Sequence, residues 1–174
     1  MSYDAREIAN VFLDMAEVKG HRLTSMALLK ILYFAHAWHL AKYKEPLVGQ
    51  KFEAWKHGPV NRVVYDQIKR FGAGPITERL QKLDVSTGAF IEAKAAIYGD
   101  RLVFLENVFA YYSEFHPYKL SDLTHEKGTP WDIVWNAAEK NAVPGMLIPD
   151  KLILEWFEKT GGRLYRSGEQ GANT

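Results

Sequence analysis

Two histidines three residues apart, His36 and His39, stand inside an apolar run. On a helix that spacing places both imidazoles on one face, as a metal site requires. Zinc needs a third and a fourth ligand, and nothing nearby in sequence supplies them. The plainer reading is two packed, hydrogen-bonded rings, and no metal is expected. A second group, Trp55-Lys56-His57-Gly58-Pro59-Val60, sets a large aromatic, a cation and a titratable ring before a forced backbone turn. Glycine permits unusual dihedrals and proline fixes the next one. With Pro59 in the first turn of a helix, backbone amides there would be free to receive an anion or a partner carboxylate. The competing reading is a strand-to-helix corner with Trp55 in the core. Rigid aromatic corners also serve as interface anchors.

His57 and His125 are the remaining candidates for chemistry. A nucleophilic triad needs Ser or Cys beside a base and then an orienting acid. The chain has no Cys and no G-x-S-x-G elbow. It also lacks a G-x-x-x-x-G-K-[ST] loop, a G-x-G-x-x-G turn and an H-E-x-x-H pair. His125-Glu126 has no second His to complete it. The expectation is a protein that grips a partner, with no enzymatic activity and no cofactor.

The elements that must position these residues are mostly helical. Asp4-Ala5-Arg6-Glu7 resembles a capping box, followed by Ile8, Val11, Phe12 and Met15 at helical spacing, and Gly20 closes that helix. Thr24 or Ser25 caps a second helix reaching Tyr43. Its segment Leu28 to Ala35 is apolar nearly all round, the mark of a central buried helix. Phe52 to Trp55 reads as a short strand. Val60, Val64, Ile68 and Phe71 stripe a third helix that Gly72 ends. Residues 73–99 are hard to read: Thr77 to Leu83 suggests a helical turn, and Phe90 to Ile97 fits strand or helix. Asp100 caps a helix ending at Pro117, Leu120 to His125 forms a helical turn, and Thr129-Pro130 opens another helix. A last helix runs from about Pro149 to Thr160. The expected fold is mainly α, a compact single-domain helical bundle with a small β element. It occupies residues 1–160, followed by a Gly-rich, polar, flexible tail over 161–174.

The totals bound the function classes. A chain of 174 residues suits one domain and buries roughly 70% of its unfolded surface without disulfides. The net charge of +1 gives no global signature of nucleic-acid or membrane binding. The start lacks the basic and apolar regions of a signal peptide, and no apolar stretch is long enough to span a bilayer, so a cytoplasmic location is expected. Charge is nonetheless uneven. Lys42 to Lys82 holds nine basic and four acidic residues, a local +5. That segment supports an alternative reading, a nucleic-acid-associated regulator, against a solvated helical face.

Three stretches together resemble the Panacea antitoxin domain, the SocA-like, phage-associated family. They are Leu28 to Ala35 continuing to Trp38-His39-Leu40; Glu53 to Val60 with Tyr65 downstream; and Leu120 to His125 followed by Pro130-Trp131. The similarity spans roughly residues 5–160. The resemblance implies a mostly helical fold with a small β element and an antitoxin that neutralises a cognate toxin. Many members act by direct binding, and one well-known type delivers its toxin to a cellular protease. No catalytic residues come with the family. The expected partner-binding surface gathers Trp55, Lys56, His57, Gly58, Pro59, Tyr65, His125 and Trp131.

Overall fold

The computed structural model describes residues 1–138 and 146–160. In chain order the elements are α1 (Ala5–Val18), α2 (Ser25–Tyr43), β1 (Phe52–Trp55), β2 (Gly58–Asn61), α3 (Arg62–Ile68), β3 (Gln81–Leu83), β4 (Phe90–Glu92), α4 (Gly99–Tyr112), α5 (Pro117–His125), α6 (Pro130–Ala138), β5 (Leu147–Ile148) and α7 (Asp150–Lys159). The mainly α fold with a small β element is what the sequence predicts. The predicted tail, 161–174, lies outside the described residues.

α2 is the axis of the molecule. Every residue from Ala27 to Leu40 is buried, because its neighbours wrap it on all sides: α1, α4, α5, α7 and β2. Thr24 caps its start by accepting a hydrogen bond from the Ala27 N–H (3.3 Å). Lys44, in the left-handed region at φ 59°, ends it. The core around α2 is aromatic. Phe34 stacks on Tyr112 at 4.3 Å, and Trp38 meets Phe157 edge-on at 5.0 Å. Each buried ring of this kind contributes on the order of 1.5–3 kcal/mol by burial. α1 opens with the predicted capping box: the Asp4 side chain accepts from the Arg6 N–H and Glu7 accepts from the Asp4 N–H.

β1 is the middle strand of a three-stranded antiparallel sheet, between β2 and β5. β3 and β4 form a separate hairpin. Several expectations are corrected here. Pro59 does not start a helix; Gly58–Asn61 is strand β2, with Ala54 opposite Pro59, and α3 begins at Arg62. A proline without an N–H is tolerated there because β2 is an edge strand. Its backbone is therefore not an exposed amide cradle. Thr77 to Leu83 is not helical; it is irregular up to Leu80 and ends in β3. Of Phe90 to Ile97, the first three residues are strand. The turn predicted from Leu120 is a nine-residue helix starting at Pro117. Among the described residues, no helix is long and apolar enough to cross a membrane.

The basic segment 42–82 does not form a free cationic face. Lys44, Lys51, Arg62, Lys69, Arg70, Arg79 and Lys82 each pair with a carboxylate, several of them brought from α1 and α7.

Candidate functional site

The corner predicted at residues 55–59 is the tip of a β-hairpin. Trp55 and Gly58 face each other across β1 and β2, which leaves Lys56 and His57 as a two-residue turn. Both are exposed, while Gly58 and Pro59 directly behind them are buried. Gly58 sits at φ 112°, which side-chain-bearing residues rarely adopt. A Cβ at this position would also fall 2.7 Å from Lys30 Cε and 2.7 Å from Thr124 Oγ1. Glycine here serves both conformation and close approach.

Two helices hold the turn from below. On α5, the Ser121 hydroxyl donates to the His57 carbonyl at 2.8 Å. On α6, Trp131 Nε1–H donates to the Trp55 carbonyl at 2.7 Å. α6 itself is aimed by its cap, where Thr129 Oγ1 accepts from the Asp132 N–H (3.2 Å) and its hydroxyl donates to the Thr124 carbonyl (2.8 Å). The Trp131 ring lies 3.9 Å from the His125 imidazole and stacks on Trp135 at 5.4 Å. On the other flank Tyr65 meets Trp55 edge-on at 4.7 Å. Arg62 lies over Trp55 and forks onto Glu53, which also accepts from Trp55 Nε1–H at 2.7 Å.

All eight residues singled out in the sequence therefore meet at one place, but in two roles. Lys56 and His57 form the exposed tip, with Trp55, Tyr65 and His125 half-buried beside it. Gly58, Pro59 and Trp131 are buried and shape the corner from within.

One member of the site is not singled out by the sequence. Lys30, in the middle of α2, is 2% exposed and lies directly beneath Gly58. Its Nζ donates to the Pro59 carbonyl at 3.1 Å. Burial lowers its pKa to about 7, and no described acid offsets the effect. The signal was available: Lys30 is the lone charge in the segment Leu28 to Ala35. Beside it, His125 is also pushed below the ordinary imidazole range, first by burial and then by the positive charge of Lys30. Its Nε2 is buried with no hydrogen-bond partner.

The His36 and His39 pair has a different use. His36 Nδ1 accepts from the Val48 N–H (3.3 Å), so Nε2–H donates to Asp150 (3.2 Å). Burial would raise Asp150, but His36 and Lys51 together hold it at about 2. His39 donates from Nδ1 to the Glu45 carbonyl (2.7 Å) and accepts from Arg101 at Nε2. Burial and the Arg101 charge lower it to about 4. All four ring nitrogens are engaged by the protein, tying α2 to α4, α7 and the loop after α2. Among the described residues no group of three or more His, Asp or Glu side chains is placed to hold a metal.

Comparison with known proteins bears on the same segments. A family model described as Antitoxin SocA-like, Panacea domain, matches residues 28–132, which contain Lys30, the hairpin, α5 and Trp131. The protein called Antitoxin SocA from Caulobacter vibrioides (strain NA1000 / CB15N) is 36% identical over 156 residues, covering 90% of this chain and 83% of that protein. No solved structure matches.

Proposed function

The chain belongs to the SocA-like Panacea antitoxin family, and on that premise we propose that it neutralises a cognate toxin in the cytoplasm by binding it directly at the hairpin corner. An antitoxin role is supported by the 36% identical Antitoxin SocA. The observation that carries the site is the exposed Lys56–His57 tip held on both carbonyl flanks, by Ser121 and by Trp131. A tip fixed before the encounter loses less conformational freedom on binding, which favours affinity. Occlusion then follows by mass action: a toxin held in complex cannot reach its target.

The role is that of a regulator without turnover. Nucleic-acid binding through residues 42–82 is the weaker reading, since seven of the nine cations there are paired with carboxylates. Binding driven by phosphates would fall steeply with salt, and a mobility shift across ionic strength tests for it.

The decisive experiment expresses the product of the neighbouring gene alone and together with this chain. Growth arrest relieved by co-expression, with the two proteins co-purifying, is the expected result. Trp55→Ala and Lys56→Glu should weaken capture while leaving the melting temperature of the Lys56 variant unchanged. Rescue accompanied by disappearance of the toxin would instead mark delivery to a protease. Capture untouched by either variant would place the contact elsewhere on the surface.

A further inference from the structure

The second hairpin, β3–β4, ends in an open edge. Leu83, Val85, Phe90 and Ile91, all within nine residues, are exposed, and nowhere else among the described residues do large apolar side chains gather so closely on the surface. Such a patch marks a contact surface. The backbone beside it is equally unspent. The Asp84 N–H donates to the Ala89 carbonyl (2.8 Å) and the Ala93 N–H to the Leu80 carbonyl (2.9 Å). Bonded pairs alternate along an antiparallel ladder, so of the pairs between those two only Lys82–Ile91 is bonded. Phe90 and Glu92 therefore aim their N–H and C=O groups away from β3, and Gln81 and Leu83 aim theirs away from β4. The outer side of β3 is guarded at Gln81, whose N–H and carbonyl both bond the Gln67 side chain. Among the described residues nothing guards the outer side of β4, and no third strand joins this sheet.

We propose that β4 pairs with β4 of a second copy of this chain, antiparallel about a two-fold axis through Ile91, so that two hairpins make one four-stranded sheet. The free groups match in that register. The Phe90 N–H donates to the Glu92 carbonyl of the second copy and the Glu92 N–H to its Phe90 carbonyl, and the symmetry doubles these two bonds to four. Ile91 faces its own copy in a non-bonded pair, where opposing side chains come closest. No like charges stand directly opposite: Glu92 meets Phe90, and Lys94, 3.9 Å from its own Glu92, falls across from Gly88. No proline between Leu83 and Glu92 blocks the approach. Because Gln67 guards the β3 side, the sheet can grow on one side only, and pairing closes at two copies without running on into a fibre. The inference does not depend on the corner at Lys56–His57.

The contact is small. Two three-residue strands and the side chains beside them fall below the ~1,200 Å² at which stable interfaces begin. Association is therefore reversible, with a Kd expected on the order of 100 μM. Pairing also removes the weakness of a lone two-stranded hairpin, since sheets of three or more strands hold their form better.

The test uses the whole chain, alone, in sedimentation velocity from about 1 μM to about 1 mM, which brackets the expected Kd. A reversible monomer–dimer equilibrium is expected. Ile91→Lys sets two ammonium groups against each other on the axis and should weaken association about tenfold or more, with little change in melting temperature because the side chain is already exposed. The chain has no cysteine, so Ile91→Cys places one thiol per copy on the axis. Non-bonded partners have Cα atoms about 4.5 Å apart, within disulfide reach, so this variant should cross-link on mild oxidation. Val85→Cys, exposed but off the axis, should not. A monomer at every concentration overturns the pairing, and so does a strand partner found only in another protein. A dimer indifferent to Ile91→Lys, or one that Val85→Cys cross-links as readily as Ile91→Cys, overturns it as well.

Discussion

β1 and β2 hold Phe52, Ala54 and all of Gly58–Asn61 out of solvent, whereas β3 and β4 leave Leu83, Phe90 and Ile91 in it. Both are short antiparallel hairpins, yet they owe their form to different things. The first is packed on by α2, α5 and α6, so its register is dictated by the body of the molecule. The second would be marginal alone, as isolated two-stranded hairpins are. Where it leaves the body it is clasped by Asn10 of α1. That amide donates to the Leu80 and Ala93 carbonyls (2.8 Å each), and its oxygen accepts from the Leu80 N–H (2.8 Å). Buried contact governs one hairpin and a few polar clasps the other, since Gln67 also bonds both backbone groups of Gln81 and Glu7 pairs with Lys82.

Substitutions should separate the two sharply. The largest expected effect is a gain: Lys30→Met should stabilise the protein by roughly 3 kcal/mol near pH 6, the buried charge cost less the lost bond to Pro59. The folded pKa of Lys30, about 7, lies below the ordinary lysine value of 10.5. Between those values the unfolded chain binds more protons, so the stability of the unaltered protein rises with pH there. The advantage of Lys30→Met should accordingly shrink toward zero near pH 10.5, and denaturant melts across pH check this. A pH-independent gain would mean that Lys30 is not buried as a lone base.

Gly58→Ala comes next. It combines a positive φ with the approach of Lys30 and Thr124, and should cost about 2–3 kcal/mol. Its counterpart in the second hairpin, Gly88, also has positive φ (71°) but open space around its Cα. Gly88→Ala should cost only about 1 kcal/mol. Equal losses at the two glycines would erase the distinction drawn between the hairpins. Ser121→Ala should cost about 1 kcal/mol and raise hydrogen exchange at the Lys56–His57 turn first. Smallest of all, Phe90→Ser should shift stability by no more than about 0.5 kcal/mol, since the ring is 68% exposed.

The contrast also explains what the sequence discloses. α1, α2 and β1 were legible because local signals and packing agree: Asp4 and Thr24 cap, and Leu28 to Ala35 is apolar all round because it is buried all round. Gly58-Pro59 misled because the same pair suits a helix start and an edge strand, and only the partner strand decides. Residues 73–99 were opaque for a physical reason. Few of them are buried, Ile76, Leu80, Ala93 and Ile97 among them, so no regular apolar period is imposed. Of the site, the aromatic and Gly-Pro residues stood out by type. Lys30 is marked in the sequence only as a lone charge in an apolar segment, and its meaning comes from Gly58 and Thr124 lying against it across the fold.

Asn10 carries one more implication. It closes the base of the excursion at Leu80 and Ala93, whose carbonyls and amide are satisfied whatever lies beyond, while Gln67 and Glu7 tie only the first two residues past it, Gln81 and Lys82. Loops of other lengths or compositions could be spliced in beyond the Lys82–Ile91 pair without disturbing the helices. Such a socket would let relatives change the excursion freely while inheriting the rest intact.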